Sequence, residues 1–300
     1  MKYKKQHYIP QSYLESWCDS NIPEGYDEYV WMFSADGESV TRKNPKNIFF
    51  ESDMYTIVDE NGNRILDIEH GLSGLEGKFA SIRDNKLAFQ QKLSLEERYY
   101  ILIFVAAIHN RTVAIKDHLS SEWGKVLELG IMLRQSYEKR TPEHRKAMES
   151  IGSLNKDGPS FTLDEVGKLH QEPIQTIMIP RINAEFNQYK KMHLSILNTD
   201  DEVGFITSDN PCVWFDPEAY KRPPFYRFVG LGKRSVEVTL PISPKQAILI
   251  SHTPLPLYLN ADMRMVDSIN RKTRFHADKY YVVKKNYRND FWFKVLEPPK

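Results

Sequence analysis

His7, in the block Gln6-His7-Tyr8-Ile9-Pro10, and Asp209 with Asn210, in Phe205-Ile206-Thr207-Ser208-Asp209-Asn210-Pro211, are the side chains best suited to acid–base chemistry in this chain. An imidazole with a pKa near neutrality is the usual general acid or base. Asp209 and Asn210 follow a β-branched run ending in Thr207 and Ser208, so they fall at a strand end, where polar side chains project into a cleft while the proline sets the backbone. A carboxylate there would orient His7 or bind a divalent cation. Plainer roles stay open beside these. His7 can hydrogen-bond locally and tie down the amino terminus, with Tyr8 as packing, and Ser-Asp-Asn-Pro is also an ordinary Asx-turn composition.

Arg111 adds a charge where the pattern asks for an apolar residue. Phe104, Ile108, Arg111, Ile115 and His118 follow the i+3/i+4 rule and fall on one helical face. A buried guanidinium needs a carboxylate or an anionic ligand, because leaving it alone costs several kcal/mol. Glu76 and Asp209 are the expected partners, and an internal salt bridge is the structural alternative. The spacing from Arg111 to His118 also recurs in HEPN-type ribonucleases, although here Thr112 follows the arginine. Asn270-Arg271, with Lys272 and Arg274, could grip phosphate near the aromatic cluster Tyr280, Tyr281, Phe291 and Trp292. Tyr8 and Ser208 complete the expected substrate contacts. The Lys221-Arg222-Pro223-Pro224 loop and the Lys233-Arg234 turn read as solvated charge. No HExxH, Walker loop, GxGxxG or GxSxG occurs, so zinc-protease and mononucleotide readings have no motif behind them.

These residues must be positioned by an α+β architecture. Pro10 opens a short helix carrying Tyr13, Leu14 and Trp17. Tyr29–Phe33 and Met54–Val58 read as strands of a small amino-terminal region, with Asn61-Gly62 as a turn. Leu66–Leu87 has helical period, punctuated by Gly71, Gly74 and Gly77, which suit close packing. Ser94 and Glu97 form a capping box ahead of a helix expected to reach about residue 119 and to resume as far as about Glu138. Thr141-Pro142 starts a further helix, Ser153–Ser160 is the best internal linker, and Thr162 with Glu165 caps the next helix. Ile174–Met192 is helical with a kink expected at Pro180. Leu194–Leu197, Gly204–Thr207, Ser235–Leu240, Ala247–Ile250 and Tyr280–Val283 then read as the strands of one antiparallel or mixed carboxyl-terminal sheet, interrupted by a helix over about Ala261–Arg274. The expectation is a single domain over 1–300, with lobes over 1–152 and 161–300.

Composition sets the outer limits. With 300 residues, 41% hydrophobic content and five Trp, the chain can bury a sizeable core. Lys+Arg 41 against Asp+Glu 40 gives a net charge of +1, so no global field draws it to nucleic acid or to a membrane. Only Cys18 and Cys212 occur, which points away from a disulfide scaffold and towards the cytoplasm. The longest apolar run, Ile101–Ile108, is far short of the roughly 20 residues that span a bilayer.

The blocks Gln6-His7-Tyr8-Ile9-Pro10 with Tyr13-Leu14, Phe205 to Pro211, Leu240-Pro241-Ile242-Ser243-Pro244, and Ile269-Asn270-Arg271 before a Tyr-Tyr strand, taken in this order, resemble the family catalogued as domain of unknown function 4238. The likeness spans nearly the whole chain. It implies which positions form a pattern and assigns them no activity. Where the family pattern would give Arg-Thr-Pro after the long helix, this chain has Arg111-Thr112-Val113. The residues together lead us to expect a hydrolase of a phosphate-containing substrate such as nucleic acid or a nucleotide, with His7 as general acid/base, Asp209 orienting it or binding a divalent cation, Asn210 beside it, and Arg111 holding an anion. The alternative is a non-catalytic binding or sensing component of a bacterial defence or toxin module, in which the two motifs lock the chain termini against the sheet.

Overall fold

The computed structural model describes residues 4–19, 22, 25, 27–152 and 161–294, and the expected linker Ser153–Ser160 lies outside them. The chain opens on strand β1 (Lys5–His7), and Pro10 precedes helix α1 (Gln11–Leu14). Strands β2 (Val30–Ser34), β3 (Val40–Lys43), β4 (Phe50–Ser52), β5 (Ile57–Val58) and β6 (Arg64–Ile65) follow. Met54 and Tyr55, expected in a strand, instead form a buried turn, and only Ile57–Val58 of that run is extended. The reason is local: Asp53 sits at positive φ (56°), which ends β4 and turns the chain.

The helical layer comprises α2 (Asp67–Ile82), continued by a π-turn over Arg83–Leu87, α3 (Leu95–Asn110), α4 (Val113–Glu138), α5 (Pro142–Gly152), α6 (Leu163–Gln171) and α7 (Pro173–Tyr189). Both capping boxes form, Ser94 with Glu97 and Thr162 with Glu165, each satisfying two orphan N–H groups. α7 runs on past Pro180. The long helix does not continue to residue 119. It breaks at Arg111-Thr112, where Thr112 adopts extended backbone and its hydroxyl accepts the Ile115 N–H as the N-cap of α4. Gly71, Gly74 and Gly77 face open space, so they mediate no close packing.

The carboxyl-terminal strands are β7 (His193–Asn198), β8 (Thr207–Ser208), β9 (Val213–Phe215), β10 (Glu237–Ser243), β11 (Gln246–Ser251), β12 (Tyr258–Asn260) and β13 (Tyr280–Val283), with α8 (Met263–His276) between the last two. They do not form one sheet. Five make a mixed sheet in the order β12-β7-β11-β10-β9, with β12 parallel to β7. The other two join the amino-terminal hairpin in the order β3-β2-β13-β8, so residues 30–43 and 280–283 share a sheet. The split is set at Gly204: its φ of +69° turns the chain away, and its backbone lies so close to the Pro244 carbonyl that a Cβ would meet that oxygen at 1.9 Å.

The core is built where α1, α2 and α3 meet the five-stranded sheet. Phe79 and Phe104 stack with ring centroids 3.6 Å apart, and Tyr13, Trp17, Ile101, Val105 and Leu240 are buried with them. The aromatic residues of the first turns also carry polar handles. The Trp17 Nε1–H donates to the Phe205 carbonyl at 2.8 Å, and the Tyr13 hydroxyl donates to the Pro241 carbonyl at 2.6 Å while meeting Thr207 Oγ1 at 2.7 Å. These bonds hold the amino terminus against the segment that leads into Ser208-Asp209-Asn210.

Candidate functional site

A cleft of about 640 Å³ opens beside β1 and is lined by residues of β1, α1, α2 and the Asn44–Ile48 turn, with Tyr55 and Arg111 in its wall. His7 is brought into it by the pairing of β1 with β4, which sets His7 opposite Phe50 and leaves its ring half-buried, in edge contact with the Phe50 ring. Gln11, one helical turn further on, places its amide nitrogen 3.2 Å from His7 Nδ1. Burial pulls the imidazole below its ordinary value of 6.5, a backbone hydrogen bond at Lys46 works against that, and the nearby Arg111 charge adds to it. His7 is therefore held towards the neutral form that can accept a proton.

Arg111 is the keystone of the wall. Its Nη1 pairs with Glu76 Oε1 at 2.6 Å, its Nε donates to the Tyr55 hydroxyl at 3.1 Å, and its Nη2 donates to the backbone carbonyl of His7. Tyr55 donates to the same carbonyl at 3.3 Å. The guanidinium thus fixes the backbone of His7 instead of presenting a free face to an anion. Of the two carboxylates expected to pair with it, Glu76 does so. Gln6 completes the base of the cleft: fully buried, it accepts the Tyr55 N–H at 2.6 Å and donates to Glu69 Oε2 at 2.8 Å, and Glu69 pairs with Lys4 at 2.9 Å. Lys5, over the Phe50 ring at 4.3 Å, and Lys46 have no acidic partner among the described residues.

Asp209 lies elsewhere and does not orient His7. Its carboxylate accepts the backbone N–H groups of Asp278 at 2.8 Å, Lys279 at 2.7 Å and Tyr280 at 2.9 Å, closing the turn between α8 and β13. Burial pushes its pKa up to about 6, although those three donors hold it down. Asn210 donates from Nδ2 to the His276 carbonyl at 3.0 Å and accepts from the Thr112 hydroxyl at 3.4 Å, while Ser208, buried, accepts the Asn210 N–H at 3.1 Å. The local bond is an ST-turn at Ser208, not the expected Asx turn, and Asn210 links it across to the N-cap of α4. Tyr8 is the member of the amino-terminal block that feels Asp209: burial raises its phenol well above the ordinary range, and the Asp209 charge adds to that.

The helix break links His7 to Asn210, beside the bonds that Tyr13 and Trp17 make to Thr207 and Phe205. Arg111 grips the His7 backbone on one side, and its neighbour Thr112 grips Asn210 on the other. Asn270 is buried and structural, its amide accepting the Ile206 N–H at 2.9 Å and donating to the Gly204 carbonyl at 2.8 Å. Arg271 lies over the Phe291 ring at 5.8 Å, and its Nη1 is buried without a hydrogen-bond partner among the described residues. Neither residue lines the His7 cleft. His118 is exposed and belongs to α4, whereas Arg111 ends α3, so the seven-residue spacing spans a helix break and makes no shared face. Among the described residues no group of three or more His, Cys, Asp or Glu side chains is arranged to hold a metal ion. No helix among them is long and apolar enough to cross a membrane.

Gln11, Lys46, Glu69 and Tyr55 enter the site without having been singled out from the sequence. Gln11 and Lys46 carried a faint signal, each following a proline that opens a short helical turn, with Asn44 capping the second through the Lys46 N–H. Tyr55 carried none, since its run reads as a strand.

The fold and the cleft define an α+β protein with a half-buried histidine backed by a buried arginine. The chain belongs to the family described as Protein of unknown function (DUF4238), whose model matches residues 5–286. No similar protein is found among the curated proteins, and none among the solved structures.

Proposed function

We propose that the chain is a hydrolase of a phosphate-containing substrate, with His7 as general base and Lys5 and Lys46 as the cations that hold the phosphate. The observation that carries this reading is the company His7 keeps: an imidazole biased to its neutral form faces a cleft in which Lys5 and Lys46 lack acidic partners among the described residues. A neutral imidazole takes the proton of an attacking water, and neighbouring ammonium groups stabilise charge on the phosphoryl oxygens. Arg111 and Tyr55 act one step back, as positioning residues that fix the His7 carbonyl. Gln11 orients the ring. Asp209, Asn210 and Ser208 belong to the scaffold in this reading.

The test is hydrolysis of nitrophenyl phosphate mono- and diesters by wild type, His7→Ala and Lys46→Ala, with thermal melting of each. Turnover by wild type, lost in His7→Ala at unchanged melting, and a raised KM in Lys46→Ala support the reading. His7→Ala turning over as wild type does ends it. The proton acceptor is the neutral ring, so kcat/KM rises with pH through a limb whose midpoint lies below 6.5. A limb centred above 6.5 contradicts the assignment. Binding without turnover has one observation in its favour: among the described residues no carboxylate touches the His7 ring, whose near partners are the Gln11 amide and the Lys46 backbone. Calorimetric binding of inorganic phosphate, lost in Lys46→Ala and unaccompanied by hydrolysis of either ester, would select it.

A further inference from the structure

Away from the His7 cleft, the segment between β9 and β10 carries five Lys or Arg and no Asp or Glu over residues 221–234. The same segment lifts Phe225, Tyr226 and Phe228 into solvent at 85, 56 and 63% exposure. Exposed aromatic rings at this density cost hydration free energy unless something covers them. The loop is also tied down. Arg222 pairs with Asp216 and donates to Ser235 Oγ at 3.0 Å, and Arg227 Nε donates to the Arg222 carbonyl at 2.8 Å. Lys233 donates to the Tyr226 carbonyl at 2.9 Å and to that of Phe228, lying 3.8 Å above the Phe228 ring. Arg234 is exposed and has no partner among the described residues.

Leu231 and Gly232 of this loop wall a separate cleft of about 440 Å³ with Arg181, Gln188 and Trp214, and Glu185 lines it as well. The Trp214 indole is fixed. It stacks on His109 at 4.4 Å, and its Nε1–H donates to the Tyr189 hydroxyl at 3.0 Å. Tyr189 in turn donates to Glu185 Oε2 at 3.3 Å, and Glu185 Oε1 lies 2.9 Å from His109 Nδ1. Arg181 is anchored through Nε to Asn110 at 2.6 Å. A rigid indole, an amide and a guanidinium therefore surround a hollow of the size that takes a small planar molecule.

We propose that this face binds single-stranded nucleic acid. Phe225, Tyr226 and Phe228 stack on successive bases, Arg227 and Arg234 contact phosphates, and the Trp214 cleft receives one base whose edge meets Gln188. The cleft favours nucleic acid over an anionic membrane surface, since hydrocarbon would desolvate the Arg181 guanidinium and the Gln188 amide that line it, whereas the edge of a base can hydrogen-bond to them. Duplex hides its base faces and leaves the exposed rings nothing to stack on. The proposal does not rest on the hydrolytic reading of the His7 cleft, because binding is measured without turnover.

The test is fluorescence anisotropy of the full chain with fluorescein-labelled single-stranded RNA, single-stranded DNA and the matching duplex, alongside co-sedimentation with phosphatidylserine vesicles. Wild type is expected to bind single strands in preference to duplex. Phe225→Ala combined with Phe228→Ala weakens that binding by about tenfold or more at unchanged melting, since both rings are exposed. Arg234→Ala lowers the slope of log affinity against log salt by about 0.7. His7→Ala binds as wild type, so failure of hydrolysis and failure of binding are read separately. Absence of single-strand binding at low salt, equal binding of duplex, binding to vesicles alone, or an unaltered affinity in the double variant would each overturn the proposal.

Discussion

Arg111 and Asp209 show how one residue type can read as chemistry and act as architecture. Arg111 is 3% exposed, and all three of its hydrogen-bonding arms are engaged, by Glu76, Tyr55 and the His7 carbonyl. Arg111→Ala would leave the Glu76 carboxylate without its cation and the His7 carbonyl with Tyr55 alone, and loss of one partner of a buried pair costs about 3–5 kcal/mol. Chemical denaturation should show that loss. Arg111→Lys should recover little of it, because an ammonium cannot reproduce the planar fork. Asp209 makes a pH-dependent statement. Its folded pKa, about 6, lies above the 3.8 of the unfolded chain, so the folded state binds the proton more readily between those values. This group's contribution therefore falls as pH rises through about 4 to 6. Asp209→Asn should flatten that part of the stability profile. It should also lower stability by about 2 kcal/mol, since an amide turns N–H groups towards backbone donors. A variant profile as steep as that of wild type would contradict the assignment.

The break between α3 and α4 is the element on which both motifs converge, and the apolar stripe concealed it. Phe104, Ile108, Arg111 and Ile115 continue the helical period across the junction, so periodicity alone runs one helix through it. The signal that was present is Thr112, an N-cap residue type, at φ −78° and ψ 156°. That extended backbone is what a following proline requires, and Val113 occupies the first helical position, where a backbone N–H has no intrahelical acceptor. Val113→Pro should therefore be accepted and raise stability by about 0.5 kcal/mol by restricting the unfolded chain. A drop in the melting midpoint would show that the junction is built differently. The capping boxes at Ser94 and Thr162 were legible because they are local, each needing only two residues three apart.

Across the whole molecule, the α+β class and most elements could be read from the sequence, whereas the partition of strands between sheets could not. β8 and β13 leave the carboxyl-terminal sheet for the amino-terminal hairpin, and nothing in the alternation of their residues encodes which neighbour a strand takes. The same limit applied to the site. His7 and Arg111 could be picked out by type, but Gln11, Lys46 and Tyr55 join them through the pairing of β1 with β4 and the turn after Asp53, which are long-range consequences of folding. The resulting molecule separates the His7 cleft from a proline-bounded bend that ties the α8–β13 turn to the helix break. Measuring phosphodiester turnover and thermal melting in parallel for His7→Ala and Asp209→Ala addresses that division most directly. The account predicts that His7→Ala abolishes turnover and keeps the wild-type melting temperature, while Asp209→Ala lowers the melting temperature and keeps turnover wherever it remains folded. The reverse pattern, with Asp209→Ala folded and inert and His7→Ala active, would contradict it.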